Sequence, residues 1–343
     1  LAGLRETLFK EMSARLKPDD VSVPYRAENG WFGRRFVAGK DLPIHVWWPG
    51  QEGQWPEGEA DVLLDENELG ADHDFYQIGD YEVSPDGRWL AWAEDTLSRG
   101  IYQIRFRALK SDNVDTQANE IIEGVSDNLA FSDDGRYLFY LKLQDETLIP
   151  WQVWRHQLGT NPSDDVLVYQ EDDATFFNAL ERSNDGRWIV INQSSTTTSE
   201  VSVIDAAAPE SARRVVIPRQ RGHEYQVDFL GERAFILTNE NAVNFRLVSV
   251  DLDQAHDRSQ WQELLAQRAD ALLQSLLVLK NHVIVEEVSD ATQRLRVLPL
   301  RDGDSFNIGA DEAAYVAELG ANALSDTATL RYVYSCLLYT SPS

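Results

Sequence analysis

Three stretches of this sequence repeat one pattern: SPDGRWLAW at Ser84–Trp92, SDDGRYLFY at Ser132–Tyr140 and SNDGRWIVI at Ser183–Ile191. The second stretch begins 48 residues after the first, and the third begins 51 residues after the second. Ser, Asp, Asn and Gly favour tight turns, and the aromatic and aliphatic residues that follow each Gly favour strands. Each copy therefore predicts a β-hairpin turn that leads into a buried strand.

Each turn belongs to a longer unit of four predicted strands. A short apolar strand precedes the turn, a second strand follows it, and two further strands complete the unit. Four strands in about 45–50 residues are typical of one blade of a β-propeller. Besides the strands that follow the turns, the predicted strands are 76–83, 101–109 and 120–122, then 128–131, 151–158 and 166–169, then 176–180, 199–205 and 214–217.

Weaker copies of the unit continue on both sides of these three. Downstream, Phe229–Leu237 keeps the Gly and the strand but has lost the Asp, a further unit covers 276–300, and a last unit runs from Tyr315 to Tyr334. Upstream, one unit covers 31–65. Neighbouring units of this kind stack and bury each other's faces. The sequence therefore predicts an all-β fold, a seven-bladed β-propeller in which six blades are complete and the last is truncated.

Two segments have the apolar spacing of a helix. The first sixteen residues carry an apolar helical face and end before Pro18, so we expect one N-terminal amphipathic helix ahead of the propeller. Trp261–Leu273 has similar spacing, but the repeat period favours a closing strand near 261–265 followed by a loop. We expect the strand because tertiary context often overrides local propensity. The apolar face of the N-terminal helix consists of Leu1, Leu4, Leu8 and Met12.

The composition argues against several classes of protein. The formal net charge of −26 disfavours a broad surface that binds nucleic acid, which needs clustered Lys and Arg. The acidity is interpreted either as a field that attracts cationic substrates or as a surface that aids solubility. Cys336 is the only cysteine, which excludes internal disulfides and favours a reducing, cytoplasmic compartment. No apolar run is long enough to cross a membrane.

The chain carries no sequence motif of a catalytic site. It has no Gly-x-Ser-x-Gly nucleophile elbow, no phosphate loop, no dinucleotide fingerprint and no His-Glu-x-x-His. Its six histidines are too far apart in sequence for the local spacing of metal ligands. We therefore expect no catalytic residue, cofactor or metal in this chain. Without further information, the residues indicate a scaffold or a binding domain.

Segments outside the repeat resemble oligopeptidase B, also called protease II, of the prolyl oligopeptidase family. The most specific is PWQVWRHQLGT at Pro150–Thr160, and AEDTLSR at Ala93–Arg99 also matches. The matches run in order from about residue 4 to 335. Further matching segments are 21–25, 63–67, 104–107, 197–201, 223–225, 285–287 and 330–335.

The resemblance implies one part of a two-domain serine peptidase that cleaves short peptides after Lys or Arg. In the family, a propeller covers an α/β-hydrolase domain that carries a Ser-Asp-His triad, and it keeps out folded proteins. The N-terminal helix at Leu1–Leu16 packs in the family against the hydrolase domain. That domain is absent here, so no triad residue can be assigned and the isolated chain is expected to be inactive. Its expected partners are the missing hydrolase domain and short cationic peptides, without nucleic acid or membrane.

The resemblance also gives domain boundaries and two candidate site residues. Residues 1–20 are expected to form the helix and linker, 21–335 the propeller with an incomplete seventh blade, and 336–343 a non-native tail. Asp74 and Arg99 match family positions near the domain interface, and we expect them to pair with charges on the hydrolase domain. Two alternatives stay open: a free-standing propeller that acts as an interaction scaffold, and a sister peptidase with a different specificity.

Overall fold

The protein is described by a computed structural model that covers residues 2–15, 17–50, 55–109, 120–312 and 314–336. These residues form many short antiparallel strands, as the sequence predicts. The chain divides into two compact units. The first contains residues 1–78 with 96–98, and the second contains residues 79–95 with 99–343.

The first unit begins with the expected helix, α1, at Ala2–Ala14. Its side chains at Leu4, Leu8, Phe9 and Met12 are exposed. A five-stranded sheet follows in the order β1-β3-β4-β5, with β2 paired to β3, and the short helix α2 at Glu66–Leu69 comes directly after β5. The strands are β1 Asp20–Val21, β2 Tyr25–Ala27, β3 Gly30–Phe36, β4 Ile44–Pro49 and β5 Asp61–Asp65.

The second unit opens with a seven-stranded sheet in which two predicted repeats are joined. The strands predicted at 120–122 and 128–131 are one continuous ten-residue strand, β9. Its first half pairs with β8 and its second half pairs with β10, so one strand closes one repeat and opens the next. The strands are β6 Gln77–Val83, β7 Trp89–Asp95, β8 Tyr102–Ala108, β9 Ile122–Phe131, β10 Tyr137–Leu143, β11 Pro150–Gln157 and β12 Val166–Gln170.

The next two sheets, the third and fourth of the chain, each have four antiparallel strands in chain order, which confirms the predicted repeat. Strand β20 closes the fourth sheet. The prediction of a strand at 261–265, made against the helical spacing of this segment, is therefore confirmed. Short 3₁₀ turns lie at Pro162–Asp164, Leu252–Gln254 and Arg258–Gln260. The strands are β13 Phe177–Arg182, β14 Trp188–Ser194, β15 Ser199–Asp205 and β16 Arg214–Ile217, then β17 Tyr225–Leu230, β18 Arg233–Thr238, β19 Arg246–Asp251 and β20 Gln262–Leu265.

The last sheet contains six strands. Both β24 and β25 pair with β23, and β25 forms an antiparallel hairpin with β26. The segment that was expected to open a seventh blade is therefore a hairpin attached to this sheet, and the count of seven blades stays a prediction. The tail at 337–343 lies outside the described residues. The strands are β21 Leu272–Leu279, β22 His282–Ser289, β23 Thr292–Pro299, β24 Phe306–Ile308, β25 Val316–Leu319 and β26 Tyr332–Ser335.

The core of the second unit lies between successive sheets. One cluster joins the third sheet to the fourth through Trp188 and Val203 on one side and Phe229 and Ile236 on the other, all of them buried. Central strands such as β14 and β18 read as nearly continuous apolar runs because both of their faces are covered. Burial of this apolar surface is the main stabilising contribution to the fold.

Candidate functional site

The three repeated turns form the same hydrogen-bond network. In the first, the Ser84 hydroxyl donates to the Asp86 carboxylate at 2.7 Å, and Asp86 accepts from the backbone N–H of Arg88 at 3.0 Å. The equivalent distances are 2.7 and 3.0 Å at Asp134, and 2.6 and 3.1 Å at Asp185. The glycines of these turns have φ between +65° and +74°, where a side chain is strained. The conserved spacing within the chain therefore encodes a rigid corner, as the turn interpretation predicts.

Neighbouring turns are also linked to each other. Asp185 accepts from the backbone N–H of Gly231 in the next unit at 2.8 Å, and the indole N–H of Trp188 donates to the Gly231 carbonyl at 3.0 Å. Arg187 forms an ion pair with Glu232 across the same boundary. The weak copy at Phe229–Leu237, which has lost its own Asp, is thus held by the Asp of the preceding unit.

A cavity of about 460 Å³ lies between the third and fourth sheets of the chain. Its walls come from β13, β14, the start of β15, and β17. The lining residues include Glu181, Glu200 and Asp228, together with Tyr225 and Asn192. A volume of this size is within the range of small-molecule sites in proteins. This cavity is the candidate binding site of the chain.

Glu200 and Asp228 are the buried acidic residues of this lining. Glu200 forms ion pairs with Arg219 at 3.5 Å and with Arg213 at 4.0 Å. Asp228 accepts from the backbone N–H of Phe229 at 2.8 Å and from that of Val278 in β21 at 2.7 Å. Burial raises the pKa of Asp228 to about 7, and these hydrogen bonds only partly oppose the effect. Glu181, by contrast, is exposed and accepts from the Asn192 amide at 2.8 Å. The lining therefore extends from an exposed carboxylate to a buried one.

The segment that carries the most specific resemblance contains a buried ionic cluster. His156 is fully buried, and its ring lies 2.7 Å from Asp165 and 3.1 Å from Glu120. Tyr140 donates to the second oxygen of Asp165 at 2.8 Å. Burial alone would lower the pKa of His156, but the hydrogen bonds and charges of the two carboxylates raise it. Sequence analysis missed this cluster because its members are separated by 9 and 36 residues.

A second buried ionic cluster lies in another segment of the resemblance. The Glu287 side chain is fully buried and contacts three guanidinium groups, at 3.0 Å for Arg268, 2.9 Å for Arg294 and 2.8 Å for Arg296. A buried charge of this kind must be paired because its desolvation is costly. Both clusters lie inside the fold, so a structural role accounts for these two segments without any catalytic role.

The two candidate interface residues are exposed and lie in different units. Asp74 is in the bend between α2 and β6, and Arg99 is in the loop between β7 and β8. The backbone N–H of Arg99 donates to the Asp95 carboxylate at 2.8 Å, which fixes this loop. The role of their side chains stays a prediction.

Neither a metal-binding cluster nor a membrane-spanning helix is found in the described part of the chain. Among its residues, no group of three or more His, Cys, Asp or Glu side chains is placed to hold a metal ion. None of its helices is both long and apolar enough to span a bilayer.

Comparison with known proteins identifies the family. The model of the prolyl oligopeptidase N-terminal β-propeller domain matches residues 1–343, and the chain belongs to this family. It is 41% identical over 355 residues to dipeptidyl aminopeptidase BI of Pseudoxanthomonas mexicana, covering all of this chain and 48% of the relative. It is 27% identical over 336 residues to Protease 2 of Moraxella lacunata, covering 97% and 47%.

The fold is also found in a solved structure. Oligopeptidase B from Leishmania major superposes with a TM-score of 0.90 at 24% identity, over 97% of this chain and 48% of that one. These findings confirm the predicted propeller class and the resemblance. The chain spans about half the length of the relatives it matches.

Proposed function

We propose that this chain is the substrate-gating propeller of a serine oligopeptidase that cleaves short peptides after Lys or Arg. The observation that carries the proposal is the family match over all 343 residues, combined with a sequence that has no nucleophile elbow. The catalytic serine would then lie in the half of the relatives' length that this chain does not span. The single cysteine favours a reducing, cytoplasmic location.

The charge of the chain supports a preference for cationic peptides. A net charge of −26 creates a negative potential that raises the association rate of positive substrates. Salt screens such a field, with a Debye length of about 8 Å at physiological ionic strength. The proposal therefore expects the association rate of an Arg-containing peptide with the complete enzyme to fall as salt is added. A flat salt dependence would show that the acidity serves solubility alone.

The proposal also assigns a partner to exposed features of both units. The exposed apolar residues of α1 would pack against the hydrolase domain, and Asp74 and Arg99 would pair with charges on it. In the complete enzyme, Asp74→Lys or Arg99→Glu is expected to change activity or domain closure. Kinetics and compactness like those of the wild type in both variants would leave these residues as ordinary surface charges.

A second candidate is a dipeptidyl aminopeptidase, which the 41% identity to a protein of that name favours. The two candidates differ in the end of the substrate that they need. An oligopeptidase accepts a reporter with a blocked N-terminus and Arg before the cleaved bond. A dipeptidyl aminopeptidase requires a free N-terminal dipeptide. Hydrolysis of the blocked reporter by the complete protein supports the first proposal, and hydrolysis of the free dipeptide reporter alone supports the second.

A further inference from the structure

Short turns join the first two strands of each repeat, and at this end the later sheets are connected by a closed circuit of hydrogen bonds. The Asn184 amide, in the turn between β13 and β14, donates to the Asp228 carboxylate of β17 at 3.4 Å. The same carboxylate oxygen accepts from the Val278 N–H of β21 at 2.7 Å. Two residues further on, the Lys280 N–H donates to the Ser325 carbonyl at 2.8 Å, and the Ser325 N–H donates to the Asn184 carbonyl at 2.9 Å. We call this circuit the turn ring, and the end of the sheets where it lies the turn end.

Ser325 belongs to the long segment between β25 and β26, residues 320–331, which we call the strap. The base of the strap is fixed by Asn322, whose amide donates to the Arg331 carbonyl at 2.8 Å and accepts from the Arg331 N–H at 2.8 Å. From this base the strap reaches a turn of the third sheet, although its two flanking strands belong to the last sheet. The fourth sheet lies between these two in the chain. The strap therefore joins sheets that are not consecutive and closes the circuit.

In the described part of the chain, the turn ring leaves no gap that a peptide could pass. Its consecutive members are in direct hydrogen-bond contact or belong to the same strand and turn. Three of them are also buried, since Ser325 is 6% exposed, Asp228 is 9% exposed and Val278 is fully buried. A peptide backbone needs about 4.7 Å to lie beside another one. A peptide could therefore cross the turn end only if a bond of the ring broke.

The cavity between the third and fourth sheets reaches the turn ring. Asn184 and Asp228 belong to both, so the ring forms the floor of the cavity at the turn end. At the opposite end of the sheets the cavity is lined by Ser194 and Ser199, which flank the loop between β14 and β15. We call this opposite end the loop end. A ligand of the cavity would thus meet a hydrogen-bonded floor at the turn end and a loop at the other.

We propose that the strap is a latch that closes the turn end against peptides, so that a peptide reaches the cavity from the loop end. The inference rests on the proposed function, because a peptidase is the kind of enzyme that must control the path of a peptide. The strap is the member of the ring that can be released. Two backbone hydrogen bonds of Ser325 hold it, together with an ion pair between Lys280 and Asp326 at 2.9 Å. Both side chains of this pair are exposed, and exposed ion pairs stabilise little.

The test compares two substrates of the complete protein: a short blocked Arg reporter, and a long unstructured peptide with blocked ends and a single Arg. Ser325→Pro removes the N–H that donates to the Asn184 carbonyl. Ala323→Pro is its matched control, because the Ala323 N–H donates to no described residue. Asp326→Lys places a like charge opposite Lys280. Adding Lys280→Glu to that variant restores an ion pair of reversed polarity and the original net charge.

Loss of one backbone hydrogen bond shifts the equilibrium between a closed and an open strap by about two- to twelvefold. We expect kcat/KM for the long peptide to rise by a factor in this range in Ser325→Pro, and by less in Asp326→Lys. The short reporter should be cleaved as in the wild type, which also shows that each variant is folded. Ala323→Pro and the charge-swapped double variant should behave like the wild type with both substrates.

Hydrogen exchange followed by mass spectrometry shows whether each variant has released the strap. A strap that stays protected in Ser325→Pro, or one that is released while the ratio of the two kcat/KM values is unchanged, would overturn the proposal. If Ser325→Pro fails to fold, the two charge variants decide the question in the same way. Failure of the wild type to cleave either substrate would refute the proposed function, while hydrogen exchange would still show whether the turn ring holds the strap.

Discussion

Replacing Asp185 with Ala should destabilise the chain more than the same change at an equivalent turn. The Asp185 carboxylate accepts three hydrogen bonds: from the Ser183 hydroxyl at 2.6 Å, from the Arg187 N–H at 3.1 Å and from the Gly231 N–H at 2.8 Å. The first two stabilise its own turn, and the third holds the next sheet. Hydrogen bonds to charged groups contribute about 1.5–3 kcal/mol each when buried, and partial exposure reduces this. We expect the free energy of unfolding to fall by about 3 kcal/mol.

Asp134→Ala is the matched control. Asp134 makes the same two bonds within its turn, to Ser132 and Arg136, together with an exposed ion pair to Arg136 that contributes about 0–1 kcal/mol. Asp134→Ala should therefore lower the free energy of unfolding by about 2 kcal/mol. Urea unfolding at pH 7, followed by tryptophan fluorescence, measures both variants against the wild type. If the two variants have the same midpoint, the bond to Gly231 contributes nothing and the account of linked turns is wrong.

Three further changes test other parts of the account. Gly135 has φ +66°, and an added Cβ would lie 3.1 Å from Asp86. Gly231 has a similar φ of +60°, but the space around its Cβ position is open. Gly135→Ala should therefore lower the urea midpoint of unfolding more than Gly231→Ala does. The pKa of His156 is raised in the folded state, so its contribution to stability is present below its unfolded pKa of about 6.5 and is lost as the pH rises through the folded value. The variant His156→Gln should therefore lose less stability between pH 6 and pH 9 than the wild type does, as measured by urea titration at both pH values. Phe9 is 69% exposed, so Phe9→Ser should leave the stability of the 343-residue chain within about 0.5 kcal/mol, whereas a loss of stability or activity in the complete enzyme would reveal its docking surface.

The repeated turns could be predicted from the sequence because all of their bonds are local. Ser84 and Asp86 are two residues apart, and the residues that favour each turn position are well defined. The period of the repeat was then strong enough to predict strand β20 within a segment that has helical spacing. The same reasoning placed a boundary inside β9, because the sequence alone does not show whether a closing strand and the next opening strand are continuous.

The candidate site was beyond the reach of sequence reasoning. The cluster around His156 depends on Glu120 and Asp165, which the fold brings together from separate loops. The residues that line the cavity are spread over the sequence from Glu181 to Leu276, and only the pairing of the strands brings them to one boundary.

The central claim is that this chain is the propeller of a serine oligopeptidase whose catalytic residues lie outside these 343 residues. The most direct test compares hydrolysis of a blocked Arg reporter by the purified 343-residue chain and by the product of the complete gene. The account predicts hydrolysis by the complete product, abolished by a serine-directed inhibitor, and none by the 343-residue chain. Inhibitor-sensitive hydrolysis by the 343-residue chain itself, or a complete product that fails to cleave any peptide reporter, would contradict it.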